Sequence, residues 1–167
     1  MKKLTLITTM LLCLIMTLNA CSSYRSDVAV VDITTAVLNT VSTQGGYTAA
    51  ESDYISLEFG NPGAITANVS EWMICASTSQ STVDEFGIFR VKDGGDVGAV
   101  KAEVEDYVQY LQVKLETFLE MYDPAEKTKL ENAQVFVFGN YVVFTMLTEE
   151  DTAAVKTTVE SALSKSN

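Results

Sequence analysis

Cys21 has the most definite chemistry in the chain, because of what precedes it. Leu18-Asn19-Ala20 places an aliphatic residue at −3 and a small one at −1 of a cysteine, the pattern cut by a lipoprotein peptidase before an acylated thiol. Leu18 does not suit ordinary signal peptidase, which prefers small residues at both positions. Asn19 departs from the smaller residues usual at its place. Upstream, Met1-Lys2-Lys3 is a positive leader, and Leu4 to Leu18 is an apolar run of 15 residues. That is short of the ~20 needed to span a bilayer as a helix. The expectation is a signal peptide over 1–20, cleavage between Ala20 and Cys21, and lipid on Cys21. A diacylglyceryl group plus an N-acyl chain holds firmly, since each buried CH₂ contributes about 0.8 kcal/mol. This predicts a lipid anchor on the extracytoplasmic face of the cell membrane, with the bilayer as first partner. Residues 21–26 are the only obvious tether, and five extended residues reach about 17 Å.

The other chemistry-bearing residues are sparse. The chain has no histidine, which excludes Ser-His-Asp and Cys-His catalysis, histidine-containing zinc sites and a histidine pH switch. Cys13 falls in the signal, so Cys75 is the one thiol left once Cys21 is acylated, and no internal disulfide is expected. It sits in the apolar run Trp72–Ala76 with no basic residue near it in sequence, the setting of a buried, inert thiol.

Asp84-Glu85 opens a strand, where neighbouring side chains point to opposite faces, so the two cannot form a bidentate site alone. They read as solvated strand-end charges, with Glu85 facing a Lys or Arg of a neighbouring strand. Asp93-Gly94-Gly95-Asp96 lacks the spacing of a calcium loop and reads as turn and helix-cap chemistry. No phosphate-binding glycine pattern occurs. A histidine-free hydrolase needs two carboxylates about 5–9 Å apart, and nothing in the sequence sets such a separation. Tyr107 and Tyr110 are amphipathic groups that suit a binding face. Asp84, Glu85, Tyr107 and Tyr110 are therefore the candidate interaction surface. No catalytic, metal or cofactor site is expected.

These residues need a scaffold, and composition bounds it. The formal charge is −11. Without residues 1–20, and so without Lys2 and Lys3, it becomes −13 over 147 residues. Such a surface repels nucleic acid and anionic headgroups, which leaves an envelope protein or surface polymer as the expected further partner. The length supports one domain, 27–167.

Asp32 is placed to cap a short helix with Ile33, Val37 and Val41 facing inward. Thr48-Ala49-Ala50-Glu51 has the form of a capping box before Tyr54, and Gly60-Asn61-Pro62 ends that segment. Trp72–Ser77 and Glu85–Val91 read as strands. A long helix follows Asp96, with the stripe Val97, Val100, Val104, Tyr107, Leu111, Leu115, Phe118 and Tyr122 expected to be core, until Pro124 interrupts. Gln134–Phe138 and Tyr141–Met146 flank Gly139-Asn140, which suits a two-residue hairpin turn of the primed type. Thr148-Glu149-Glu150-Asp151 opens a last helix with Val155, Val159 and Leu163 inward.

Asp96, Val100, Lys101 and Val104 recur at an offset of 55 as Asp151, Val155, Lys156 and Val159. The echo marks either a duplicated strand-strand-helix unit or two helices with similar caps. The predicted fold is α+β: a two-layer, four-stranded, mainly antiparallel sheet of two hairpins, with the long and C-terminal helices on one face and short N-terminal helices added.

From Val83 onward, Asp84-Glu85-Phe86-Gly87-Ile88-Phe89, Val91-Lys92-Asp93, Val100-Lys101, Tyr122-Asp123-Pro124 and Gly139-Asn140-Tyr141-Val142 resemble bacterial domain-of-unknown-function family 4358, found in lipoproteins of Firmicutes. The resemblance implies no activity and transfers no site residue. It agrees with a membrane-anchored binding or interaction module. An accessory subunit for envelope-polymer acylation or assembly is the alternative it implies.

Overall fold

The computed structural model describes residues 24–165. Cys21 and the signal segment lie outside the described residues. The elements in order are α1 (Val30–Leu38), β1 (Tyr47–Ala49), α2 (Tyr54–Glu58), α3 (Gly63–Asn68), β2 (Val69–Ser77), β3 (Glu85–Val91), α4 (Val97–Tyr122), α5 (Pro124–Glu131), β4 (Gln134–Phe138), β5 (Tyr141–Met146) and α6 (Glu149–Leu163). The strands form one five-stranded sheet in the order β1-β2-β3-β5-β4, every pair antiparallel.

The sheet is covered on both faces, which corrects the two-layer expectation. Ile74, Phe89, Val142 and Phe144 face α4, while Cys75, Phe86, Ile88 and Val143 face α1 and α6. The cause is visible in β3 and β5, whose residues are buried almost without exception. A strand buried on both sides has no polar alternation, and Glu85–Val91 and Tyr141–Met146 have none of consequence. Side chains on neighbouring strands are tightly packed around Gly87. A Cβ on Gly87 would lie 2.3 Å from the Phe144 ring and 3.0 Å from Ile74.

Opposite placement of α4 and α6 also decides the repeat. An axis relating antiparallel neighbours β3 and β5 stands normal to the sheet and would leave both helices on one face. The caps differ as well: Asp96 caps α4 through the Ala99 amide, whereas Thr148 caps α6 and Asp151 lies in its first turn. The two units are not copies in space.

The fifth strand is a further correction. Tyr47–Ala49, which includes the Thr48 and Ala49 expected to open a capping box, pairs with Cys75–Ser77, and α2 begins without a side-chain cap. Nor does Asp32 cap α1, which starts at Val30 after Ala29. The hairpin turn is as expected, with Gly139 at φ 62° and no positive φ at Asn140. The body begins earlier than residue 27, because the Arg25 amide donates to Leu163, the Tyr24 ring meets Phe138 edge-on at 5.6 Å, and its hydroxyl donates to Glu160. No helix among the described residues is long and apolar enough to cross a membrane.

Length explains the most consequential feature. The 26 residues of α4 run about 39 Å, whereas the seven of β3 cover about 23 Å. The C-terminal turns of α4 therefore project past the sheet, beyond the end where β3 begins and β5 ends.

Candidate functional site

The overhang of α4 needs a second wall, and α5 supplies it. Asp123 accepts from the Glu126 amide and Pro124 occupies the first helical position, so the chain turns back at once. The Gln112 side chain then donates to the Leu130 carbonyl at 2.9 Å, holding α5 against α4. Between α4, α5 and the end of the sheet lies a cleft of about 460 Å³. Its walls are apolar, with Leu111, Leu115, Phe118 and Tyr122 from α4, Leu130 from α5 and Met146 from β5. Glu85 and the hydroxyls of Tyr54 and Tyr107 form its polar end.

Glu85 is only 8% exposed. The Tyr107 hydroxyl donates to its Oε1 at 2.9 Å, and the Tyr54 hydroxyl lies 2.8 Å from that of Tyr107 and 3.4 Å from each Glu85 oxygen. Stacking on Phe59 at 4.0 Å fixes the Tyr107 ring. Burial pushes the Glu85 carboxyl up to about 7; hydrogen bonds from Tyr107 and Tyr54 oppose the shift, and the charge of Glu58 adds to it. Burial likewise raises both tyrosines, helped by the Glu85 charge. Among the described residues Glu85 has no ion pair.

Beside this group sits a second polar cluster, which is internally complete. Lys129 lies 2.7 Å from both Asp84 and Glu126, and Glu126 Oε2 accepts from the Thr82 hydroxyl and the Val83 amide, each at 2.8 Å. Thr43 donates to the other Asp84 oxygen. Burial works against the Lys129 charge, but the hydrogen bonds to Asp84 and Glu126 outweigh it and hold its pKa above the ordinary lysine value.

The four residues expected to form one surface therefore separate. Asp84 and Glu85 are buried rather than solvated, and Glu85 meets tyrosines in place of a Lys or Arg. Tyr107 joins Glu85, while Tyr110 is 48% exposed with Lys114 over its ring. Cys75 is buried, and burial, with the Glu85 charge, raises its thiol to about 11. Tyr54, Glu126 and Lys129 were missed. The i, i+3 spacing of Glu126 and Lys129 was a signal for the pair but not for what it pins. Phe118 and Tyr122, read as core, are 58% and 70% exposed, because the sheet ends before they do. Among the described residues no cluster could hold a metal ion.

Fold and cleft together define a small three-layer domain, an antiparallel sheet between helices, with one apolar cleft at a sheet end. Residues 64–147 match the family described as Domain of unknown function (DUF4358), and the chain belongs to that family. The match includes β2, β3, α4, α5, β4 and β5, and so most of the cleft. No match was found among curated proteins or solved structures.

Proposed function

We propose that this protein is an extracytoplasmic lipoprotein, anchored through Cys21, that binds the apolar body of a ligand in the cleft between α4 and α5. The observation that carries the binding reading is the cleft itself: about 460 Å³, with an apolar wall from α4, the Glu85 group at one end, and Gln80, Ser81, Thr82, Asp123 and Glu126 as further polar lining. Sites for small ligands have this size and this division.

The position of Tyr24 supports the pairing of anchor with cleft. Tyr24 rests near Phe138 and Ser164, at the sheet end opposite Glu85. An anchor at Cys21 would leave only Ser22 and Ser23 as tether, about 10 Å at full extension. The cleft would then open away from the bilayer, accessible to an envelope partner. A carboxylate hydrolase finds no support in the geometry, because both oxygens of Glu126 accept from Lys129, Thr82 and Val83.

The test is fluorescence of the neutral apolar probe N-phenyl-1-naphthylamine on a chain beginning at Ser22. Emission should rise with saturation, and Leu115→Glu, which puts a charge on the apolar wall, should abolish the rise. Equal emission from the variant removes the cleft from the proposal.

A further inference from the structure

We propose that the cleft takes an amphiphilic amine, with a primary ammonium seated on Glu85 and an aliphatic body lying along Leu111, Leu115 and Phe118. This rests on the binding reading above and adds the chemistry of the ligand.

Glu85 lacks partners for most of its acceptor sites. An ionised carboxylate offers about four acceptor sites, and the chain supplies one short hydrogen bond, from Tyr107 to Oε1. Oε2 has only the 3.4 Å contact with Tyr54. Buried carboxylates are ordinarily paired with a cation, because removing a lone charge from water is costly. The lysines of the two helices that wall the cleft are already committed: Lys129 to Asp84 and Glu126, Lys127 to Glu120 and Glu131, Lys114 toward Glu58, and Lys101 to Glu105. An open acceptor in a buried carboxyl that faces a cleft suits a donor carried in by the ligand.

Charge selects which donor. Asp123 and Glu126 also line the cleft, and Glu58 approaches Glu85 from α2. With a chain charge of −11, a carboxylate or phosphate head is repelled at the mouth and again at the floor, whereas an ammonium is attracted at both. Tyr54 and Tyr107 provide hydroxyl oxygens for the remaining N–H groups. Tyr122 stands 15 positions after Tyr107, a rise of about 22 Å along α4, room for a long chain rather than a compact ring.

Three probes of equal length separate head group from body: n-decylammonium, n-decanol and n-decanoate, titrated by calorimetry below their aggregation limits into a chain beginning at Ser22. At pH 8 the amine should bind at least tenfold more tightly than the alcohol, and the carboxylate most weakly. Glu85→Gln should remove the amine's advantage over the alcohol.

The pH response of the unaltered chain is a second readout that requires no variant. The groups facing Glu85 are Tyr54 and Glu58 on α2, Tyr107 on α4, Cys75 on β2, and Asp123 and Glu126 at the cleft. The two hydroxyls and the thiol are raised and stay protonated from pH 6 to 8. With Glu85 at about 7, amine affinity should fall about tenfold from pH 8 to pH 6, since a proton must leave before the pair forms. Alcohol binding equal to amine binding overturns the ammonium assignment and leaves the cleft reading standing. Tightest binding of decanoate overturns it in favour of a protonated Glu85 that donates. No binding of any probe overturns both readings.

Discussion

Glu85 concentrates the tension in this molecule, a carboxyl held in the core without a cation of its own. Its folded pKa of about 7 lies above the ordinary 4.5, so the folded state binds the proton more tightly than the unfolded state does. Its contribution is full below pH 4.5 and is lost as pH rises through 7. A shift of that size corresponds to about 3 kcal/mol. Glu85→Gln keeps an acceptor for Tyr107 without the charge. The variant should therefore be about 2–3 kcal/mol more stable than the parent in urea at pH 8, with the difference gone at pH 4.5. Equal stability at both values would mean that Glu85 is solvated in the folded protein. Gly87, two residues on, tests the packing on the same face. Gly87→Ala forces a methyl against Phe144 and Ile74 and should cost about 1–3 kcal/mol, read as a lower denaturant midpoint at unchanged slope.

At the scale of elements, α5 decides whether there is a cleft. Its outer surface is polar and little of it is buried, with Leu130 and Glu126 as its inward residues. Lys129 joins it to Asp84 at the start of β3 and to Glu126 on its own turn. Lys129→Met leaves both acids in a poorly solvated pocket and should cost about 3 kcal/mol, at the lower end of the loss for a broken buried pair because Lys129 is partly exposed. Amide exchange should show the loss as opening of residues 124–131 ahead of the sheet. Uniform loss of protection across β3 and β5 would make the cluster part of the general core instead. The long helix has a separate anchor: Asp96→Ala removes the side chain that accepts from Ala99 and should cost about 1 kcal/mol.

For the whole molecule, the two ends of the sheet differ. One end carries the Tyr24 segment and the other the cleft, separated by the length of β3, about 23 Å. With a lipid on Cys21, this geometry holds the opening clear of the bilayer and restricts ligands to those near the membrane. Cys21→Ala should move the protein from the membrane fraction to the soluble or precursor fraction, followed by cell fractionation and radiolabelled palmitate. Unchanged retention with no label in the parent would end the anchor proposal while leaving the cleft untouched.

Local chemistry was legible in the residues alone. The bounds of β3 and α4, the caps at Asp96 and Thr148, the Gly139-Asn140 turn and the burial of Cys75 follow from propensity, periodicity and turn stereochemistry, which act over a few residues. Family membership was legible for the same reason, as an ordered set of short motifs. The relations between distant segments were left to tertiary structure. A strand apolar on both sides does not state which helix covers which face, so the third layer appeared only when α4 and α6 took opposite sides. Tyr54 and Tyr107 are 53 residues apart, and only packing brings both hydroxyls to Glu85. An amphipathic stripe says nothing of where a sheet ends. The same periodicity that buries Val100 and Val104 therefore lines a cleft with Leu115, Phe118 and Tyr122, because the helix outruns its strands.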